Sequence, residues 1–594
     1  MRRKSTDDSV HNQPLAGNSQ PADLNHDRFD GRDSRRKTLQ LTLQTYFHRL
    51  RKFSTLPLWL GLGAGAIATL PVWGAERIQF FYGPFEATIT LEELEAIATD
   101  GADTDADGLL VNQLNEEQLT SLQEFLNTDF DVDVVIMSQL GNSSVGEELL
   151  NRLGQIVQTE SGLNGATAIR AALTLAAADE AGLSLLNIVR QFPLDTIQLN
   201  LPLVQKVIAE NQTLFQRQIE VVDRLQQQAQ RQVEPSAEFG SAHASDPRQT
   251  GDYPWRLETV TFINPERPAS SVADLYLPDR LSATPVIVIS HGAASNRQAF
   301  AYLAKHLASH GYAVAVLDHA DTNAEKFERF LTGLEGPPDA QSFLNRPKDI
   351  AALLDTLEQQ AEARSELQWL TLDAVGVLGH SLGGYTVLAA AGAELHRHQL
   401  ADVCGDTVAE QPLLNLSMLL QCRFLELPEA AAFDVKDDRV QAVMALNPLT
   451  SHLFGSAGMA ALSVPTLLVA ATDDYFVPAL PEQIEPFAAI AAEDKYLVVI
   501  ENGTHFTPLD LGEQVLPLPD FLVGPDPAAA QPALQALTLA FFNRHLSELP
   551  DYSAFLNQTY FNQLAPDPFQ FSIVQQYGNP HAANNVMQLE TQKF

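Results

Sequence analysis

From about residue 255 to residue 546, continuous runs of Val, Ile and Leu alternate with stretches of helical periodicity. The runs PVIVIS (285–290), YAVAVLD (312–318) and PTLLVAAT (465–472) are apolar at nearly every position. A strand that is apolar on both faces belongs in a parallel sheet covered by helices on each side. The alternation therefore predicts an α/β fold with a mostly parallel, doubly wound sheet.

The rest of the chain divides by changes in its composition. Residues 76–228 carry apolar side chains at every third or fourth position, which predicts a mainly helical domain. Residues 229–254 are polar and contain Pro, Gly and Ser, as linkers do. The α/β domain is predicted to span 255–548, with an insertion at 395–438 that interrupts the alternation. Residues 549–594 form a C-terminal extension.

Residues 1–75 form a basic segment that ends in an apolar stretch. The run TLPLWLGLGAGAIATLPVWGA (55–75) carries no charge and follows a basic flank. Pro57 and Pro71 leave only Leu58–Leu70 uninterrupted, which is short for a membrane span. The pattern is typical of a secretory signal peptide, so we expect an exported, periplasmic or extracellular protein. An uncleaved membrane anchor at 55–75 is the alternative.

The chain has two cysteines, Cys404 and Cys422. In an exported protein such a pair is expected to form a disulfide, and the alternative is two unpaired cysteines in the core. The formal net charge of −37 argues against nucleic acid or an anionic membrane as a partner.

The stretch DAVGVLGHSLGGYTVLAAAG (373–392) places Ser381 between a strand pattern and a helix pattern. A serine hydroxyl becomes a nucleophile when a base takes its proton and when the turn that carries it projects it clear of the sheet. Glycines on either side, Gly379 and Gly383, relieve crowding in such a turn. The five-residue pattern alone is weak, and its position between strand and helix makes Ser381 a candidate nucleophile.

An acid and a base are expected after the nucleophile in chain order. The strand TLLVAATDDYFVP ends with Asp473 and Asp474, and the next strand, YLVVIENGTHFTP, ends with His505. A carboxylate that orients an imidazole, and an imidazole that accepts the seryl proton, complete a triad. We predict Ser381, His505 and Asp474 as its members, with Asp474 preferred to Asp473 because it stands four residues before Pro478.

Two backbone amides are predicted to bind the oxyanion. One belongs to Leu382, which follows the nucleophile, and the other to Ala293, in the turn after the strand PVIVIS. His291, His319 and His380 are interpreted as structural.

The segments SHGAASNRQAFAYLAKHLASHGYAVAVLDHADTN (290–323), RPKDIAALLD (346–355) and GHSLGGYT (379–386) together resemble the bacterial dienelactone-hydrolase-like branch of the α/β-hydrolases. That branch includes the platelet-activating-factor acetylhydrolases. The resemblance covers roughly residues 255–546 and implies an α/β-hydrolase fold and carboxylic-ester hydrolysis. The stretch WGAERIQFFYGPFEATITLEELEAIATDG (73–101) is similar to a domain of unknown function that precedes such hydrolases in cyanobacteria.

Two positions depart from that branch. The acetylhydrolases place their acid after the strand that follows the nucleophile, and the matching residue here is Asn447. An amide cannot stabilise an imidazolium by charge, so this role is assigned to Asp474. Dienelactone hydrolase itself uses cysteine where this chain has Ser381, so the name of the branch says little about the substrate.

The leading hypothesis is a serine esterase that cleaves small-molecule esters or lipids with apolar acyl groups. The loop 319–345 and the insertion 395–438 contain Phe and Leu and are expected to border the acyl pocket. An amidase or peptidase with the same triad, and a catalytically silent binding protein, are the alternatives. No metal or organic cofactor is expected.

Overall fold

A computed structural model describes residues 74–82, 85–99, 116–233, 246–267, 269–404, 415–429, 433–512, 520–564 and 567–577. The predicted signal peptide or anchor at 55–75 lies almost wholly outside these residues. Within the described part of the chain, no helix is long and apolar enough to cross a membrane.

The N-terminal part combines short helices with a small sheet. Its strands are β1 (Arg77–Tyr82), β2 (Phe85–Thr90), β3 (Val157–Thr159) and β4 (Thr196–Leu199). Its helices are α1 (Leu91–Ala98), α2 (Glu116–Asn127), α3 (Val134–Gly141), α4 (Ser144–Ile156), α5 (Ala166–Ala178) and α6 (Leu185–Arg190). The strand order is β2-β1-β4-β3, with β1 parallel to β4 and the other pairs antiparallel. Helical periodicity did not reveal this sheet, because its strands are only 3 to 6 residues long.

A 31-residue helix, α7 (Leu201–Arg231), connects the N-terminal part to the rest of the chain. It begins where the side chain of Asn200 accepts a hydrogen bond from the Leu203 amide, a common helix cap. Near its end, Val221, Val222 and Leu225 are buried in the core of the larger part. The helix thus runs past residue 228 into the predicted linker and packs on the α/β domain before the chain leaves it.

The larger part is built on a nine-stranded sheet. Its strands are β5 (Trp255–Phe262), β6 (Ser271–Pro278), β7 (Thr284–Ser290), β8 (Ala313–Asp318), β9 (Leu370–His380), β10 (Val440–Leu446), β11 (Thr466–Ala471), β12 (Lys495–Glu501) and β13 (Gln570–Val574). They lie in the order β13-β12-β11-β10-β9-β7-β8-β6-β5. The six strands from β12 to β8 pair in parallel, and β6, β5 and β13 are antiparallel. The predicted mostly parallel sheet is confirmed, and the C-terminal extension contributes its last strand.

Helices cover both faces of this sheet. They are α8 (Ala301–Ser309), α9 (Ala324–Leu331), α10 (Ser342–Ala363), α11 (Leu382–Ala390), α12 (Arg397–Val403), α13 (Leu416–Cys422), α14 (Gly455–Ala460), α15 (Glu485–Phe487), α16 (Asp520–Val523), α17 (Gln531–His545) and α18 (Gln558–Leu564). Two apolar clusters, one on each face, bury nearly every residue of the parallel strands. The sheet is therefore a rigid base for side chains at the carboxyl ends of its strands.

The insertion carries α12 and α13, and a disulfide joins Cys404 to Cys422. The pairing agrees with the sequence expectation. The N-terminal part contacts this region, since α4 packs against α13 and α3 packs against α9. It therefore lies against both segments that were expected to border the acyl pocket.

Candidate active site

Ser381 occupies a strained turn between β9 and α11. Its backbone has φ 56° and ψ −121°, a conformation that residues with a side chain rarely adopt. The Ser381 amide donates to the Leu446 carbonyl at 2.9 Å, which ties the turn to the end of β10. Backbone strain of this kind is kept where the surroundings enforce it, and it often marks a functional residue.

The two glycines beside Ser381 are required by close backbone contacts. A Cβ on Gly379 would lie 2.1 Å from the Gly383 carbonyl oxygen, and a Cβ on Gly383 would lie 2.1 Å from the Ser290 carbonyl oxygen. Neither distance is possible between a carbon and an oxygen that are not bonded. The glycines therefore let the turn close and let α11 sit directly on β7, as the sequence pattern suggested.

Asp474 and His505 meet beside this turn. The Nδ1 atom of His505 lies 2.6 Å from Oδ2 of Asp474. The other carboxylate oxygen, Oδ1, accepts the backbone amides of Phe476 at 2.9 Å and Val477 at 2.7 Å. These contacts hold the carboxylate in one orientation, so that Nδ1 of His505 donates to it and Nε2 is left with its lone pair.

Asp473, the neighbour that the sequence left as second choice, lies elsewhere. Its amide donates to the Gly503 carbonyl at 2.8 Å, and its side chain accepts the Thr472 hydroxyl at 3.0 Å. The structure thus brings Asp474, and not Asp473, to the imidazole.

Asn447 donates to the same carboxylate. Its Nδ2 lies 2.8 Å from Oδ2 of Asp474, the oxygen that also accepts from His505. Asn447 is fully buried and has φ 46°, a left-handed conformation that asparagine tolerates better than most residues. The amide at the position where the resemblance would place an acid is therefore a hydrogen-bond partner of Asp474.

His380 supports the backbone of the predicted base. Its ring lies 4.7 Å from that of His505, centroid to centroid, and its Nε2 lies 2.8 Å from the His505 carbonyl oxygen. Burial holds the pKa of His380 well below its usual value, so the ring is neutral and Nε2 carries the proton. This contact agrees with a structural interpretation of His380.

The turn after β7 presses against the nucleophile. A Cβ on Gly292 would lie 3.2 Å from Cβ of Ser381 and 3.1 Å from Nδ1 of His380. The next residue, Ala293, and Leu382 at the start of α11 therefore flank the serine from two segments. Their backbone amides remain the predicted oxyanion donors.

A strained serine turn on a mostly parallel sheet, with an acid and a base at later strand ends, is the arrangement of one fold family. Residues 282–419 match a family described as serine aminopeptidase, S33, and residues 74–200 match one described as an α/β-hydrolase of unknown function, DUF1400. The chain has the α/β-hydrolase fold. No curated protein matches it.

The two matches cover different parts of the hydrolase. The aminopeptidase match runs from β7 into the insertion, so it includes Ser381 but ends before Asp474 and His505. The other match covers the N-terminal part with its small sheet. It agrees with the resemblance of that part to a domain of unknown function found with hydrolases.

Two partly exposed phenylalanines border the imidazole of the hydrolase. The rings of Phe476 and Phe506 each lie 5.6 Å from that of His505. They form an aromatic wall beside the imidazole.

A buried polar cluster on the far side of Ser381 was not predicted from the sequence. His319 lies between Ser290 and Asp349, with Nε2 2.8 Å from the Ser290 hydroxyl and Nδ1 2.7 Å from the Asp349 carboxylate. Asp349 also accepts from Arg267 at 2.6 Å. Burial raises the pKa of Asp349 to about 7, and the Arg267 guanidinium opposes that rise.

Arg346 is the largest member of this cluster. It is fully buried and contacts the turn after β7, the loop after β8 and helix α11. The sequence contained the signal for it, since Arg346 and Asp349 belong to the motif RPKDIAALLD that carried the family resemblance. No role could be assigned to either residue from the motif alone.

Proposed function

We propose that the hydrolase is an exported serine esterase that acts on carboxylic esters with apolar, lipid-like acyl groups. One observation carries the proposal: Ser381 stands in a strained turn while Asp474 holds the imidazole of His505 at 2.6 Å. A nucleophile, a base and an oriented acid are the three groups that acyl transfer requires.

In the proposed mechanism, Oγ of Ser381 attacks the ester carbonyl carbon, and its proton passes to Nε2 of His505. The carbonyl oxygen becomes an oxyanion and accepts hydrogen bonds from the Ala293 and Leu382 amides. When the intermediate collapses, the alcohol leaves with the proton from His505. Water then attacks the acyl-enzyme with His505 as base, which releases the carboxylic acid and restores Ser381.

The preference for apolar substrates is supported by the aromatic wall beside the base. Phe476 and Phe506 flank His505, and the loop 319–345 and the insertion supply further Phe and Leu side chains. Burying an apolar chain against such residues contributes about 25 cal/mol for each Å² removed from water. Membership of the dienelactone-hydrolase-like branch belongs to the same proposal.

Export is proposed on the apolar run 55–75 and on the disulfide. The run has the composition of a signal peptide, and disulfides form and persist in oxidising compartments.

A peptide or amide substrate is the second candidate. The match of residues 282–419 to a serine aminopeptidase family favours it, because the same triad cleaves esters and amides. The two candidates differ in the leaving group and therefore in the substrates that are turned over.

The test compares p-nitrophenyl esters, from acetate to palmitate, with aminoacyl p-nitroanilides. The wild type is expected to turn over medium-chain or long-chain esters and to react with a fluorophosphonate probe at one serine. Ser381→Ala should lose both reactions. Ser553→Ala, which removes an exposed hydroxyl bonded to Pro550, is the matched control and should keep them. Faster turnover of the anilides would replace the ester proposal with the peptidase, and a folded wild type inert to all of these would point to a silent binding protein.

A further inference from the structure

Arg346 is a fully buried cation whose hydrogen bonds go to uncharged acceptors. Its Nε donates to the Thr386 hydroxyl on α11 at 3.0 Å. Its Nη2 donates to the His291 carbonyl, and its Nη1 donates to the Thr322 hydroxyl. One guanidinium therefore joins the nucleophile helix, the turn after β7 and the loop after β8.

The His291 side chain links the peptide that Arg346 binds to the next one, between Gly292 and Ala293. The His319 amide donates to Nε2 of His291 at 3.0 Å, so Nε2 is unprotonated and the proton is on Nδ1. Nδ1 lies 2.6 Å from the Gly292 carbonyl oxygen and donates to it. Burial lowers the pKa of His291 and keeps the ring in this neutral form, although the Asp318 carboxylate, 3.5 Å from Nε2, opposes that shift.

The orientation of the Gly292 carbonyl decides where the Ala293 amide points. In a trans peptide the C=O and N–H are rigidly coplanar and point in opposite directions, so a held carbonyl fixes the amide. The turn is held again at Ala294, whose amide donates to the Thr322 carbonyl at 3.0 Å. Thr322 is the residue whose hydroxyl Arg346 binds.

The positive charge of Arg346 is balanced at a distance. The carboxylates of Asp321 and Asp349 favour its charged form, and burial lowers its pKa only to about 9, so Arg346 stays protonated at neutral pH. Asp349 is itself bonded to Arg267 and His319. Burying a charge is energetically costly. Arg346 nevertheless makes four hydrogen bonds to the backbone and hydroxyls around Ser381, which indicates that the guanidinium has a function there.

We propose that Arg346, acting through His291, is the positioning residue of the oxyanion hole: it holds the Ala293 amide where the tetrahedral intermediate places its negative oxygen. The inference rests on the proposed function. Arg346 and His291 are both 0 % exposed, so neither contacts substrate and both act through the backbone.

The test measures kcat and KM per active serine, counted by fluorophosphonate labelling. Arg346→Met removes all the donors from a side chain of similar length. Its kcat should fall about 10²-fold to 10³-fold, the loss known for one oxyanion donor, while KM changes less than about threefold. Inhibition by an alkylboronic acid, which forms a tetrahedral adduct on serine, should weaken by a similar factor.

Conservative variants separate positioning from folding. Arg346→Lys keeps the charge and part of the hydrogen bonding, so it should recover about tenfold of the kcat lost in Arg346→Met. His291→Asn keeps a donor at the place of Nδ1 and should stay within about fivefold of wild type, whereas His291→Leu should lose about 10²-fold. The double variant Arg346→Met/His291→Leu should be little worse than the poorer single variant, because both loosen one peptide.

Arg439→Met is the matched control. Arg439 also contacts helix α10, through Asp355 and Glu358, but it lies at the start of β10, away from the turn. Its loss should lower thermal stability and leave kcat per labelled serine unchanged.

The outcomes distinguish this proposal from the one on which it rests. If the wild type turns over no ester or amide, the proposed function fails and this inference fails with it. If the wild type is active and both Arg346→Met and His291→Leu keep kcat per labelled serine within threefold, the inference alone is overturned. Should Arg346→Met not fold, Arg346→Lys and the two His291 variants decide the matter.

Discussion

Two different kinds of group flank Ser381: the acid and base on one side, and the predicted oxyanion donors on the other. On the acid–base side, Asp474 accepts four hydrogen bonds, from His505, Asn447 and two backbone amides. On the proposed oxyanion side, the predicted donors are backbone amides, and the buried cation Arg346 contacts the turn that carries Ala293. The proposed chemistry of the first side is carried by side chains, and that of the second side by main-chain amides.

The difference shows where each kind of group is needed. A proton must move between side chains on the acid–base side, so its residues have to be a carboxylate and an imidazole. The oxyanion side needs only two fixed donors, and any side chains that fix them will serve. We therefore expect the largest losses of activity for variants on the acid–base side.

The largest effect is expected for Asp474→Asn. The amide would accept less well from Nδ1 of His505 and could stabilise the wrong tautomer, so kcat should fall about 10⁴-fold, equivalent to about 5 kcal/mol. The measurement is ester turnover per labelled serine.

Asp473→Asn is the matched control for that experiment. Asp473 bonds to Thr472 and to the Gly503 carbonyl, so its variant should stay within about threefold of wild type. A larger loss for Asp473→Asn than for Asp474→Asn would exchange the two assignments.

A smaller effect is expected for Gly383→Ala, which tests the contact between the two sides. The new Cβ would meet the Ser290 carbonyl at 2.1 Å, so α11 would have to move away from β7 and from the oxyanion turn. We expect a loss of about 10²-fold in kcat, the scale of one misplaced donor. Gly384→Ala is the comparison, because its Cβ would lie 2.8 Å from Cβ and 3.0 Å from Cα of Pro448, next to Asn447, a less severe contact that should cause a smaller loss. Equal losses in the two variants would contradict this difference between the sides.

Sequence patterns pointed to Ser381, Asp474 and His505 because their side chains are chemically distinctive and because they follow the ends of β9, β11 and β12. The choice of Asp474 over Asp473 agrees with the contact to His505. The nine-stranded sheet followed from the apolar runs, apart from β13, which lies in the segment predicted as a C-terminal extension.

The buried residues that support the oxyanion side were not predicted, because their arrangement depends on long-range contacts. Arg346 and His291 are 55 positions apart, and nothing local indicates that one binds the carbonyl of the other. The small N-terminal sheet escaped for a related reason, since β1 and β4 pair across more than a hundred residues. Periodicity indicates which face of a helix or strand is buried, but it does not indicate which other element packs or pairs with it.

A still smaller effect is expected for Asn447→Gly. Glycine tolerates φ 46°, so the change removes the donor to Asp474 without straining the turn. With one donor fewer, the carboxylate is held less firmly against Nδ1 of His505. The value of kcat per labelled serine should fall by up to about tenfold, the scale of one hydrogen bond to a charged group.

Asn502→Gly controls for the change of asparagine to glycine. Asn502 also has a positive φ, 58°, and its amide donates to the Pro568 carbonyl rather than to the acid. Its kcat should match that of wild type. An unchanged kcat in Asn447→Gly would mean that the contact from Asn447 does not help to hold the carboxylate.

The last prediction concerns a buried histidine that serves neither side. Nε2 of His306, on α8, donates to the Pro247 carbonyl at 2.9 Å, and burial lowers the pKa of His306 to about 4. The unfolded chain binds a proton near pH 6.5, so between pH 6.5 and 4 it holds more protons than the folded state, and stability is lost as the pH falls.

His306→Gln keeps a donor at the place of Nε2 but cannot titrate. Its free energy of unfolding should therefore fall less than that of wild type between pH 6.5 and 4, by about 1–3 kcal/mol, in denaturant titrations at each pH. His310, whose pKa burial also lowers, retains part of the acid sensitivity. Turnover per labelled serine should be unchanged at neutral pH, because the hydrogen bond of His306 goes to Pro247 and not to His505 or Arg346. A fall in kcat of His306→Gln would show instead that this face of the sheet transmits strain to the oxyanion turn, and the two sides would then not be independent.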